Sequence, residues 1–174
     1  MSGPFHIRGE VAADTPTIAA VVTEAFGQVS EAELIAALRA AGALNISLVA
    51  ETGEGSLVGH VAFSPVTVEG AGADRLFGLA PLAVAGAWQG RGVGSALVEA
   101  GLALARALGG DLAVVLGEPA YYRRFGFRPA AGWGIAWEHV APLEAFMALE
   151  LRPGAGAAWR GRLRFHSAFD RFTE

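Results

Sequence analysis

Two periods run along this chain, and together they predict an α/β protein. Near the N-terminus, Phe5 to Arg8 is a short strand. Thr15-Pro16 follows as N-cap and first helical position, and Ile18, Val21, Val22, Ala25 and Phe26 fall on one face of a helix. Ser30 and Glu33 form a capping-box pattern ahead of Leu34, Ile35 and Leu38, with Gly42 as the stop. The pattern then changes to β-branched and aromatic runs, Ile46 to Glu51 and Leu57 to Val68, separated by Gly53 and Gly55; these predict an antiparallel hairpin or meander. Arg75 to Val84 is almost continuously apolar, as expected of a strand buried on both faces.

The second half alternates in the same way. Val93, Leu97, Gly101, Leu104 and Leu108 lie three or four apart on one predicted helical face, and Gly109-Gly110 ends that helix. Asp111 to Leu116 is a further buried strand, so strand, helix and strand from Leu79 to Leu116 make a βαβ unit with a parallel pair and a right-handed crossover. Glu118-Pro119 opens a short helix that Gly126 closes, and FMALEL, Phe146 to Leu151, is the last predicted strand. Pro129 to Pro142 carries no assignable pattern, and PGAGAAWRG is expected to be a turn or loose connection.

Composition narrows the classes. The 174 residues suit a single domain, 1–174, and 53% hydrophobic with 17% charged residues is far from a disordered chain. A net charge of -4 argues against broad nucleic-acid binding and mildly favours a cationic partner. There is no cysteine, and all 13 basic residues are arginine. Disulfides, thiolate metal sites, cysteine nucleophiles, Schiff-base lysines and the Walker lysine are therefore excluded. No run approaches the ~18 apolar residues of a membrane span, and MSGPFHIRGE has no apolar core of signal-peptide length, so a cytoplasmic protein is expected.

The chemistry concentrates in WQGRGVGSAL, Trp88 to Leu97, where three alternate glycines run into a helix. Glycine is costly there unless the backbone itself is needed. A helix N-terminus offers unpaired N–H groups and about half a positive charge, and glycines let an anion approach them; a phosphate ligand is expected. The dinucleotide fingerprint G-x-G-x-x-G fails in both registers, because Ser95 or Leu97 takes the last glycine position. Gln89-Gly90-Arg91-Gly92-Val93-Gly94 instead matches Gln/Arg-x-x-Gly-x-Gly/Ala, and here the sequence resembles the GNAT superfamily of acyl-CoA-dependent N-acetyltransferases. Pro81 to Val84 looks like that family's fourth strand, and Tyr122-Arg123-Arg124-Phe125-Gly126-Phe127 looks like its Tyr-x-x-x-Gly-Phe segment. Element order agrees from about Ile7 to Phe127, and FMALEL with PGAG is similar to a bacterial predicted-acetyltransferase subgroup.

The resemblance implies a mixed, mostly antiparallel sheet with a central parallel βαβ pair splayed around acyl-CoA and helices on both faces. It implies acetyl-CoA as co-substrate, held by Leu82, Ala83 and Val84 through their main chain and by Gln89, Gly90, Arg91, Gly92, Val93, Gly94 and Ser95 at the pyrophosphate. An acceptor amine of a small molecule or a peptide would attack the thioester directly, with a fourth-strand N–H polarising the carbonyl. Tyr122 resembles the family's general acid, against the alternative of a core aromatic, with Tyr121 beside it. The family often places a glutamate on its fourth strand, but Leu76 to Val84 holds no carboxylate; Glu118 is the candidate base, competing with a helix N-cap role. His60 is a weaker candidate, and Arg123 and Arg124 serve either the cofactor phosphates or the helix dipole. The four histidines, His6, His60, His139 and His166, show no metal-ligand spacing, so no metal is expected. Two other classes stay open: a non-catalytic acyl-CoA-binding or sensing domain, and a Rossmann-type nucleotide enzyme disfavoured by the failed fingerprint. Apolar strands near the C-terminus leave a homodimer open.

Overall fold

The computed structural model describes residues 4–172. Their contacts fall into two compact units that share the chain: one holds 4–63, 80–101 and 168–172, the other 64–79 and 102–167.

In the first unit, β1 (Phe5–Gly9) pairs antiparallel with β2 (Ile46–Thr52), and β2 pairs antiparallel with β3 (Leu57–Val68) from Ile46↔Phe63 to Ala50↔Gly59. The expected hairpin is there, with a bulge at Ala50/Glu51. Helices α1 (Thr15–Phe26) and α2 (Ser30–Ala40) cover one face, where Ile18, Val22 and Ile35 pack with Val49, Ala62 and Ala83. The opposite face receives α3 (Val93–Ala107). A Cβ at Gly59 would come within 2.9 Å of Val93 and Leu97, and one at Gly101 would overlap the ring of Phe63, so both glycines are there for close packing.

In the second unit, the end of β3 pairs antiparallel with β9 (Gly161–Phe165), Val66↔Phe165 to Val68↔Leu163. β4 (Leu76–Val84) runs parallel to β5 (Leu112–Leu116) over Leu76↔Leu112, Phe77↔Ala113 and Gly78↔Val114, which is the predicted βαβ pair. The rest of β4, residues 80–84, belongs to the first unit. β5 also pairs antiparallel with β8 (Phe146–Glu150), which pairs with β6 (Arg128–Pro129), while β7 (Ile135–Trp137) runs parallel to β9. The short helix α4 (Pro119–Tyr122) leads into a 3-10 turn that Gly126 closes at φ 101°.

Several expectations are corrected. Thr15 is the first residue of α1, with Asp14 as N-cap, because the Asp14 carboxylate turns back to accept Val11 N–H and the Arg8 guanidinium. Ser30 lies inside α2 and forms no capping box; Val29 takes the cap position. Phe26 is 40% exposed, since it is the last helical residue before Gly27 (φ 70°) and runs past the packed face. Leu104 (38%) and Leu108 (53%) are exposed as well, and Leu102 and Ala105 are buried in their place. The buried side changes along α3, so extrapolating the face of its first turns fails in its last. The last strand is β9, not Phe146 to Leu151, whereas the turn expected in PGAGAAWRG is there, a 3-10 turn at Ala155–Ala158 two residues before β9. Pro129 to Pro142 holds the 3-10 turn Ala130–Trp133 and β7.

Candidate active site

The glycine turn lies wholly in the first unit. After β4 the chain makes a 3-10 turn, Gly86–Trp88, and Ala85 N–H is tied to Val58 O at 2.9 Å. Gly90 and Gly92 adopt φ 76° and 85°, and an added Cβ at either would meet nothing within 4 Å. Positive φ, not crowding, is therefore why these two positions are glycine, and the space over them is open. Ala96 N–H closes the first turn of α3 on Gly92 O at 3.0 Å. The amides of Val93 and Gly94 precede that bond and have no intrahelical carbonyl to meet. Gln89 Nε2 donates to Val84 O at 3.2 Å, fastening the turn to the end of β4, and the Arg91 guanidinium lies 5.4 Å from the Trp88 ring centroid. The result is an open, donor-rich turn with one arginine beside it, suited to an anion.

Tyr122 lies in the second unit, at the end of α4. Its ring meets Tyr121 and Phe127 edge-on, with centroids 5.0 and 5.7 Å away. A Cβ at Gly117 would stand 2.6 Å from that ring, so glycine is needed for the tyrosine to lie against the main chain. Burial, with a smaller contribution from Tyr121, pushes the Tyr122 phenol up to about 12, so it keeps its proton at neutral pH. Glu118 stands at the N-cap of α4, but its side chain makes no cap bond; its carbonyl accepts Tyr121 and Tyr122 N–H at 3.1 Å each. The carboxylate is thus exposed and is not used up as a cap.

Comparison with known proteins bears on both halves. Residues 44–129 match the model of the acetyltransferase (GNAT) domain. The uncharacterised N-acetyltransferase YhbS of Escherichia coli K12 is 38% identical over 166 residues, 95% of this chain and 99% of its own. This chain belongs to the GNAT acetyltransferase family. A second relative of that organism, the uncharacterised N-acetyltransferase YjhQ, is 40% identical over 131 residues, 74% of this chain and 71% of its own. The crystal structure of YhbS in complex with CoA matches this GNAT fold with a TM-score of 0.92 at 38% identity, covering 97% of this chain and 93% of that one. A Brucella melitensis GNAT acetyltransferase in complex with acetyl-CoA matches with a TM-score of 0.80 at 39% identity, covering 96% and 99%.

The remaining polar residues of this GNAT chain sort by their contacts. His60 is 1% exposed on β3, and its Nε2 shares a 2.8 Å hydrogen bond with Ser47 Oγ. Burial lowers its pKa against the pull of Glu10, so it is a neutral core imidazole with Nδ1 left without a partner. Arg124 stacks over Tyr121 and Phe125 at 5.2 and 5.4 Å, whereas Arg123 is exposed. Among the described residues no group of three or more His, Cys, Asp or Glu could hold a metal, and no helix is long and apolar enough to cross a membrane. Sequence reasoning missed Asp111, Glu10 and Ser47, whose partners lie tens of residues away, and no local motif could have flagged them.

Proposed function

We propose that this chain is an acetyl-CoA-dependent N-acetyltransferase that moves an acetyl group to a primary amine of a small molecule or peptide by direct attack. One observation carries the reading: Gly90 and Gly92, both at positive φ with open space above them, open a 15-residue helix in a chain that matches CoA-bound relatives along nearly its whole length. Charge-assisted hydrogen bonds to such an anion contribute about 1.5–3 kcal/mol each, more than the roughly 1 kcal/mol a glycine costs.

The residues take these roles. Gly90, Arg91, Gly92, Val93, Gly94 and Ser95 hold the pyrophosphate, with Arg91 adding charge, and Gln89 acts by pinning the turn to Val84. Leu82, Ala83 and Val84 offer main-chain groups to the pantetheine arm and an N–H to the carbonyl oxygen. Bound acetyl-CoA supplies an activated acyl carbon. Tyr122 donates a proton to the departing sulfur; its raised pKa makes it a reliable donor at neutral pH but a weaker acid than a free phenol. Glu118, or solvent, takes the acceptor's proton.

Thermal shift and thiol-release turnover test this. Acetyl-CoA raises the melting temperature, Gly94→Glu abolishes the rise, and Tyr122→Phe slows turnover about 10- to 1000-fold without removing the rise. A rise that persists in Gly94→Glu refutes the cradle. Binding with no turnover across polyamines, aminoglycosides, amino acids and peptide N-termini refutes the transferase in favour of an acyl-CoA sensor.

A further inference from the structure

The first unit holds a cavity of about 370 Å³ formed where the start of α2 meets the C-terminal 3-10 turn, Ser167–Phe172. Glu31 and Arg171 both line it. Among the described residues, the contacts that hold each of them are with a neighbour and not with one another. Gln28 Nε2 donates to both carboxylate oxygens of Glu31, at 2.8 and 3.2 Å. A carboxylate accepts about four hydrogen bonds, so this grip orients Glu31 and leaves acceptor capacity free. The Arg171 guanidinium lies 5.1 Å from the Phe172 ring centroid, which engages its face and leaves its N–H donors for an anion. Buried Leu34 and Phe169, together with Phe172, supply the apolar lining.

We propose that this cavity binds a small zwitterion of the amino-acid class, its ammonium on Glu31, its carboxylate on Arg171 and its apolar side chain against Leu34, Phe169 and Phe172. Opposite charges lining one cavity without pairing with each other are matched together by a ligand that carries both of their complements. A simple cation leaves Arg171 unmatched, and a simple anion faces Glu31. The volume falls in the range of small-molecule sites, roughly 300–1,000 Å³. This site is additional to the transferase assignment and does not depend on it.

Calorimetry without acetyl-CoA tests the proposal with three probes of one shape: L-phenylalanine, L-phenylalaninamide and 3-phenylpropionate. Phenylalanine binds, and each singly charged analogue binds about 10-fold or more weakly, the size expected when one charge-assisted contact is lost. Glu31→Gln brings phenylalanine down to the level of 3-phenylpropionate, and Arg171→Gln brings it down to that of the amide. Equal binding of the three probes, no heat from any at millimolar concentration, or an unchanged preference in both variants overturns it. Because no thioester is present, failure of acetyl transfer leaves this result untouched.

Discussion

Asp111 and the Gln89–Ser95 turn treat their polar atoms in opposite ways. Asp111 is 4% exposed, and its carboxylate is saturated: Arg75 donates twice, at 3.0 and 3.1 Å, Trp159 Nε1 donates at 3.0 Å, and Arg152 donates as well. Those bonds, Arg75's first, hold its carboxyl far below the usual range against the upward pull of burial. Its backbone is engaged too, with Asp111 N–H on Arg75 O and Leu151 N–H on Asp111 O. In the turn, by contrast, the space over Gly90 and Gly92 is open, and the amides of Val93 and Gly94 have no intrahelical carbonyl to meet. A buried ion whose valences are all filled is a structural tie; donors left facing open space are kept for a ligand.

Removing the tie gives the largest effect. Asp111→Ala strands the Trp159 N–H and two guanidinium groups. Breaking a buried pair costs about 3–5 kcal/mol, and because the side chains of Arg75 and Arg152 are 46% and 52% exposed and keep water, the low end, about 3 kcal/mol, is expected in urea unfolding. Acetyl-CoA affinity of the folded variant stays unchanged. A loss of affinity of similar size would mean that the two regions do not act separately.

The two regions also differ in how far the sequence betrays them. Positive φ at Gly90 and Gly92 is legible because it is decided within a few residues, as are the bounds of β3 and the buried Leu34, Ile35 and Leu38 of α2. Asp111 reads only as the start of a strand, since its side-chain partners stand 36, 41 and 48 positions away. Trp159 sits in the stretch that reads as a loose connection, and the glycines there conceal both that bond and β9. Glu118 is legible as an N-cap position, but whether its carboxylate is used there depends on side-chain geometry.

Disturbing the turn gives the next effect. Gly92→Ala meets no steric obstacle, so its whole cost is the φ of 85°. That costs about 1 kcal/mol, a fall of about 3 °C in Tm for a chain this size. Acetyl-CoA binding weakens about 10-fold as the main chain shifts out of reach of the phosphates. A variant that loses stability but keeps full affinity would show that the glycines serve only the chain reversal.

The smallest effect separates the two kinds of region by pH. Glu10 is a lesser version of Asp111: burial alone would raise its carboxyl, but contacts with His60, Arg39 and Ser47 outweigh that and hold it at about 2, from an ordinary 4.5. A carboxyl depressed by folding stabilises the protein above its unfolded pKa and loses that contribution as pH falls through the folded one. Glu10→Gln, which removes the Arg39 pair, therefore costs about 1 kcal/mol at pH 7. The gap between wild type and variant in urea midpoints narrows from about pH 4.5 downward and closes near pH 2. The Gln89–Ser95 turn holds no carboxylate and no histidine, so the Gly92→Ala penalty is flat over the same pH interval. A Gly92→Ala penalty that follows the Glu10 curve would mean that the turn leans on the carboxylate network and is not free-standing.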